Sequence, residues 1–204
     1  MLLLEKKTKY YHLGIWKIEE SKEELLSFFQ IENKVEESIK EMAAPSKILE
    51  RLAVRVLLRL MLKKENSIQY LKSGKPYLMN GNLHISISHT KGYVAIILGE
   101  SEYLGIDIQY ITPKIKNIKD KFISPDEFIS PENEINHLLL HWCSKETLYK
   151  AIGKGLDLKN SFHIEPFEPQ EQGVLKAHEK ISGSSLSFDI EYTITPDYVL
   201  TYTY

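Results

Sequence analysis

Apolar residues recur along this chain with two different periods, and the switches between them divide it into four blocks. Residues 21–39 mix Glu and Lys with apolar Leu25, Leu26, Phe28 and Phe29, the pattern of one or two surface helices. Residues 48–62 carry the clearest helical signal. Ile48, Leu52, Val56 and Leu60 recur every fourth position, with Leu49, Ala53 and Leu57 beside them, and Arg51, Arg55 and Arg59 form a second row. At Ser73-Gly74-Lys75-Pro76 the pattern breaks into a turn, and the proline holds Lys75 extended. Period two then takes over. Residues 83–88 and 104–111 alternate apolar and polar side chains, residues 93–98 form a continuous apolar run, and Lys91-Gly92 suits the turn between residues 83–88 and 93–98.

Helical signals return beyond residue 120. Ser124-Pro125-Asp126-Glu127 and Ser130-Pro131-Glu132-Asn133 each set a capping serine before a proline at the first helical position. The second of these helices is expected to run from about Pro131 to Ile152 and to stop at Gly153 and Gly155. Residues 173–204 are mostly β-branched or aromatic, broken at Ser182-Gly183-Ser184 and Pro196-Asp197, which predicts an antiparallel meander. Helices, strands, helices, strands is the order of an α+β protein of two halves, each about 100 residues long. Two echoes permit a duplication: Ser46-Lys47 with Ser144-Lys145, and Tyr93-Val94 with Tyr198-Val199.

Composition narrows the class. A chain of 204 residues, 43% hydrophobic and 26% charged, has enough apolar material for a full core and does not read as disordered. Its apolar runs are too short to cross a bilayer, so no membrane partner is expected. The first residues, Met-Leu-Leu-Leu-Glu-Lys-Lys, lack the pattern of a secretory signal. The one cysteine, Cys143, forms no internal disulfide and fits a reducing cytoplasm. A net charge of −2 argues against a nucleic-acid coat, and an anionic ligand has to be met by a local basic cluster.

Three stretches could carry chemistry. In Gly105-Ile106-Asp107-Ile108-Gln109, strand alternation puts Asp107 and Gln109 on one face and the two isoleucines on the other. Two oxygen-bearing side chains pointing together could serve a hard cation such as magnesium, and a solvated strand face would look the same. In Trp142-Cys143-Ser144-Lys145-Glu146-Thr147-Leu148-Tyr149-Lys150, helical spacing puts Glu146 and Lys150 on one face. That pair suits proton removal and leaving-group stabilisation, or a plain surface ion pair. Ser86-Ile87-Ser88-His89-Thr90 at a strand end suits either a phosphate or the capping of a turn. Glu127, three residues after Ser124, reads as the return partner of a capping box. His137 and His141, with Glu134 before them, have zinc-ligand spacing but no third ligand at a recognisable distance. No glycine-rich phosphate loop is present.

The order of these motifs is more specific than any one of them. Gly74-Lys75-Pro76, then the Ser86–Thr90 stretch, then Gly105-Ile106-Asp107-Ile108, then Phe122-Ile123-Ser124-Pro125-Asp126-Glu127, then Trp142-x-x-Lys145-Glu146-x-x-x-Lys150-Ala151-x-Gly153-x-Gly155, resembles the surfactin-synthetase-activating type of 4'-phosphopantetheinyl transferase. The resemblance covers about residues 46–156. It implies a monomer built as a pseudo-dimer of two similar α+β halves, residues 1–102 and 103–204, with the active site between them. It implies transfer of 4'-phosphopantetheine from coenzyme A to a serine of an apo acyl or peptidyl carrier protein, releasing adenosine 3',5'-bisphosphate. Asp107 and Glu146 would hold Mg2+, Glu146 would act as base, and Lys150 would contact the phosphates and assist the leaving group. Ser88 and His89 would grip the nucleotide phosphates, Lys75 and Pro76 would border the adenine, and Arg51 and Arg59 would meet the 3'-phosphate, with Arg55 a competitor. Gln109 stands where many relatives carry a glutamate, so the third metal ligand is altered. An inactive coenzyme A- or carrier-binding homologue, and a zinc hydrolase using His137 and His141, remain the alternatives at this stage.

Overall fold

In the computed structural model of this chain, residues 1–29, 44–64, 67–79, 81–153, 155–181 and 186–204 are described. Four layers stack in the order helix, sheet, sheet, helix. The first sheet has the order β1 (Leu2–Lys7), β2 (Tyr11–Lys17), β6 (Tyr93–Gly99), β5 (His84–Thr90). The second has the order β7 (Gly105–Tyr110), β11 (Tyr198–Thr203), β10 (Ser187–Ile194), β9 (Gln172–Glu179), β8 (Phe162–Ile164). All ladders are antiparallel. A small hairpin of β3 (Ile68–Tyr70) and β4 (Pro76–Leu78) stands before β5.

Alternation along the central strands builds this stack. On β6, Val94, Ile96 and Leu98 pack beneath helix α2 (Pro45–Leu62), together with Trp16, Leu52, Val56 and Leu57. Tyr93, Ala95 and Ile97 of the same strand turn the other way and meet Ile106, Ile108, Tyr198, Leu200 and Tyr202 of the second sheet. A strand buried on both faces needs a continuous apolar run, which is what residues 93–98 carry. The outer face of the second sheet, with Leu175, Ile190 and Val199, is covered by helix α3 (Glu134–Ile152). No helix among the described residues is long and apolar enough to cross a membrane.

The helix at 48–62, the strands near 83–88, 93–98 and 104–111, and the terminal meander appear where the sequence puts them, each within a few residues. Elsewhere the structure differs. Strands β1 and β2 pair at the amino terminus, where the pattern gave no strand signal. β1 is exposed on both faces and so lacks alternation. Helix α1 is short (Lys22–Ser27) and opens on a capping box between Ser21 and Glu24; the rest of the stretch read as surface helix, from residue 30, lies outside the described residues, as does Ser182-Gly183-Ser184. Ser124-Pro125-Asp126-Glu127 starts no helix. Its serine hydroxyl donates to the Lys159 carbonyl at 2.6 Å, and the Glu127 carboxylate is drawn into the core, so the segment closes as a single turn. The next helix begins at Glu134 and not at Pro131, and the Ser130 N–H is bound by His137 Nδ1 at 2.9 Å. A 3-10 helix (Pro113–Lys121) fills the connection before it.

Candidate active site

β7 is an outer strand of the second sheet. One edge pairs with β11; the other faces β5 of the first sheet. Its opening residue, Gly105, lies so close to α3 that a Cβ there would sit 2.3 Å from the Thr147 carbonyl oxygen. Only a glycine lets the strand backbone rest on the helix backbone. That approach carries Asp107, two residues on, to the α3 face that bears Cys143, Glu146 and Lys150.

Asp107 is buried, at 6% exposure, and its Oδ1 accepts two bonds of 2.7 Å, from Ser88 Oγ and from Lys150 Nζ. Lys150 also donates to the Ile106 carbonyl at 3.1 Å. The Cys143 thiol also bonds to the Asp107 carboxylate. The Glu146 carboxyl is pushed up by burial and by the charge of Asp107, against an opposing pull from Lys150. Two acidic side chains that repel one another, served by one ammonium, favour an added cation. Their hard oxygens suit magnesium, with water and substrate phosphates completing the shell. Gln109 is half-buried on the same face of β7. Cys143 is fully buried, and its thiol is pushed well up by burial and then by Asp107, which makes it a neutral neighbour of the carboxylate and no nucleophile.

A cavity of about 260 Å³ opens beside this cluster. Lys75, Pro76, His89 and Lys150 line it, and Tyr70 and Tyr149 add aromatic walls that the sequence did not single out. Gly74 supplies the turn before it with φ 86°. The Lys75 ammonium donates to the carbonyl of Ala151 at 2.9 Å, in the second half of the chain, and to that of Glu102 at 3.3 Å. Burial pulls the Lys75 pKa down. His89 Nδ1 lies 3.2 Å from Glu50 of α2, which also holds Lys47 at 2.8 Å. Burial lowers the His89 pKa, with Glu50 acting against it. Glu50 gave no signal in the sequence, being one acidic residue on a helix of mixed charge.

The basic row of α2 is spread out. Arg51 is exposed, Arg59 donates to the Phe28 carbonyl at 2.5 Å, and burial lowers the pKa of Arg55, which interacts with Tyr70 of the cavity wall. Lys145 and Glu127 form a fully buried ion pair at 2.7 Å. Glu127 also receives the N–H of Ser124 at 2.8 Å and of Ile164 at 2.9 Å, while Lys145 donates to the Phe122 carbonyl at 2.6 Å. The capping-box return from Glu127 is thus present, as one arm of a network tying α3 to β8.

His137 and His141 lie in an aromatic nest with Phe128 and Phe167. His137 Nδ1 accepts the Ser130 N–H, which leaves the proton of the neutral ring on Nε2. His141 Nδ1 lies 3.0 Å from the His137 carbonyl, to which it must donate, so the lone pair is on its Nε2. Neither Nε2 has a hydrogen-bond partner among the described residues, and only one of the two rings offers a metal a lone pair. Burial lowers His137 to about 4 and His141 to about 3.

Residues 103–203 match the sequence model of the 4'-phosphopantetheinyl transferase superfamily. A 4'-phosphopantetheinyl transferase of Bacillus subtilis is 32% identical over 98 residues, covering 45% of this chain and 43% of the relative. A second from that organism is 29% identical over 135 residues, covering 63% and 54%. One from Aneurinibacillus migulanus is 30% identical over 103 residues, covering 48% and 43%. The chain spans about half the length of the curated relatives it matches.

Proposed function

We infer that this chain, whose residues 103–203 match the 4'-phosphopantetheinyl transferase superfamily, is an enzyme of that class, acting from coenzyme A onto a carrier protein. The observation that carries the reading is the convergence of four separated motifs. Lys75-Pro76 at the start of β4, His89 of β5 and Lys150 of α3 line one cavity, and beside it Ser88 of β5 and Lys150 both bond Asp107 of β7, with Glu146 one turn before Lys150. Both halves also share a topology: an entering strand (β2, β7) pairs with the last strand of its half (β6, β11), which pairs with the one before it (β5, β10). The echo Tyr93/Tyr198 supports the same reading, since the two rings pack against each other at 5.1 Å. Ser46-Lys47 and Ser144-Lys145 do not add to it, because one starts a helix and the other lies mid-helix. On this account the chain is a monomeric pseudo-dimer of the surfactin-synthetase-activating type, divided at 102/103, and works in the cytoplasm.

The chemistry follows from charge and position. When bound at Asp107 and Glu146, with Gln109 alongside, magnesium supplies positive charge against the pyrophosphate of coenzyme A. Arg51 and Arg59 meet the 3'-phosphate, Ser88 and His89 lie along the nucleotide phosphates, and Lys75 and Pro76 border the adenine. Glu146 takes the proton of the carrier serine as its oxygen bonds to the β-phosphorus. The bond from that phosphorus to the bridging oxygen breaks, and Lys150 offsets the charge on departing adenosine 3',5'-bisphosphate. No covalent enzyme intermediate is needed; positioning and electrostatics do the catalysis. The test is incubation with coenzyme A, magnesium and apo-carriers from fatty-acid, polyketide, peptide and lysine pathways. A carrier that gains a phosphopantetheine supports the reading, and no gain on any of them overturns it.

A further inference from the structure

Ser86, Ser88 and Thr90 occupy alternate positions of β5 and turn three buried hydroxyls toward β7. Their oxygens accept the N–H groups of Ile106 at 3.2 Å, Ile108 at 3.2 Å and Tyr110 at 3.1 Å. The free edge of β7 is therefore satisfied by side-chain oxygens where another strand would normally stand. Of these three hydroxyls, Ser88 alone also donates to a side chain among the described residues, through its 2.7 Å bond to Asp107 Oδ1.

A hydroxyl has one hydrogen. Given to Asp107, it is not available to a phosphate, and the oxygen left behind repels an anion. We propose that Ser88 is a positioning residue for Asp107, its hydroxyl serving the cation side of the site and not the nucleotide phosphates. With Ser88 and Lys150 both on Oδ1, the carboxylate is held in one rotamer for a metal. The inference rests on the reading that Asp107 is a metal ligand, and it narrows the phosphate role given to Ser88 above.

The test is binding of Mn2+ to the full chain in the presence of coenzyme A, read from the paramagnetic signal of the free ion, with no turnover involved. Ser88→Ala should weaken Mn2+ about 10- to 100-fold, the usual loss when an outer partner of a metal ligand is removed. In metal-free buffer its preference for coenzyme A over dephospho-coenzyme A should stay as in the natural protein. Ser88→Thr, which keeps the hydroxyl, should recover most of the Mn2+ affinity. Thr90→Val removes a hydroxyl of the same seam without touching Asp107 and should bind Mn2+ normally. Should Ser88→Ala not fold, Ser88→Cys, a weak donor of similar size, should show an intermediate loss. Normal Mn2+ binding by Ser88→Ala or Ser88→Cys overturns the proposal, as does an equal loss in Thr90→Val. A natural protein that binds no Mn2+ with coenzyme A present removes the metal reading itself, and the inference with it.

Discussion

The proposed function asks Glu146 to be both metal ligand and base, and its surroundings suit the first task as well as the second: half-buried, close enough to Asp107 to feel its charge, one turn from Lys150. Glu146→Gln keeps the shape and removes the charge. It should lower the transfer rate about 10²- to 10⁴-fold, the range for loss of a positioned proton acceptor, while coenzyme A binding changes only a few-fold. Near-normal turnover in the folded variant would end the assignment. Gln109→Glu should lower the magnesium needed for half-maximal rate, and Asp107→Asn should do more damage than any change at Gln109; a magnesium titration of the three proteins decides it. Period-two alternation was enough to put Asp107 and Gln109 on one face and Ile106 and Ile108 in the core. It could not tell which element Ser88 would face, because alternation fixes sides and not partners.

At the scale of elements, two contacts hold the site together. Gly105 allows β7 to touch α3, so Gly105→Ala must push strand and helix apart. The expected cost is about 1–3 kcal/mol of stability, with a raised magnesium requirement as Asp107 moves from Glu146. Urea unfolding and a magnesium titration measure the two effects, and unchanged values in both would contradict the role. Lys145→Met leaves Glu127 buried and charged without its partner, at a cost of about 3–5 kcal/mol in urea unfolding. The long runs were readable: β6, α2 and α3 owe their form to apolar patterning that tolerates little else. The failures have a common cause. β1 is exposed on both faces and shows no pattern, and at 124–127 a strong local capping signal lost to a tertiary ion pair that lies 18 residues away in sequence.

For the whole molecule, the two sheets meet through a tyrosine-rich apolar layer on one part of their interface and the hydroxyl seam beside the site on another. No local pattern reveals that packing, since it depends on which faces remain after each sheet has received its helix. Acid should loosen the assembly through His137 and His141. Their folded pKa values, about 4 and about 3, lie below the ordinary histidine value, so the unfolded chain binds more protons. Stability is full above about pH 6.5 and declines as pH falls toward 4, by about 1.4 kcal/mol per pH unit for each proton taken up. His137→Asn keeps an acceptor for the Ser130 N–H and should flatten the loss measured by urea unfolding between pH 7.5 and 5; an unaltered slope would refute the cause.

The central claim is that this one chain moves phosphopantetheine from coenzyme A to a carrier serine. The intact mass of an apo-carrier after incubation with coenzyme A and magnesium tests it most directly, run beside the same carrier with its acceptor serine changed to alanine. The account predicts a phosphopantetheine gain on the serine form alone, abolished by a chelator and by Glu146→Gln. An unmodified carrier, or a gain that survives loss of the serine or of Glu146, would contradict it.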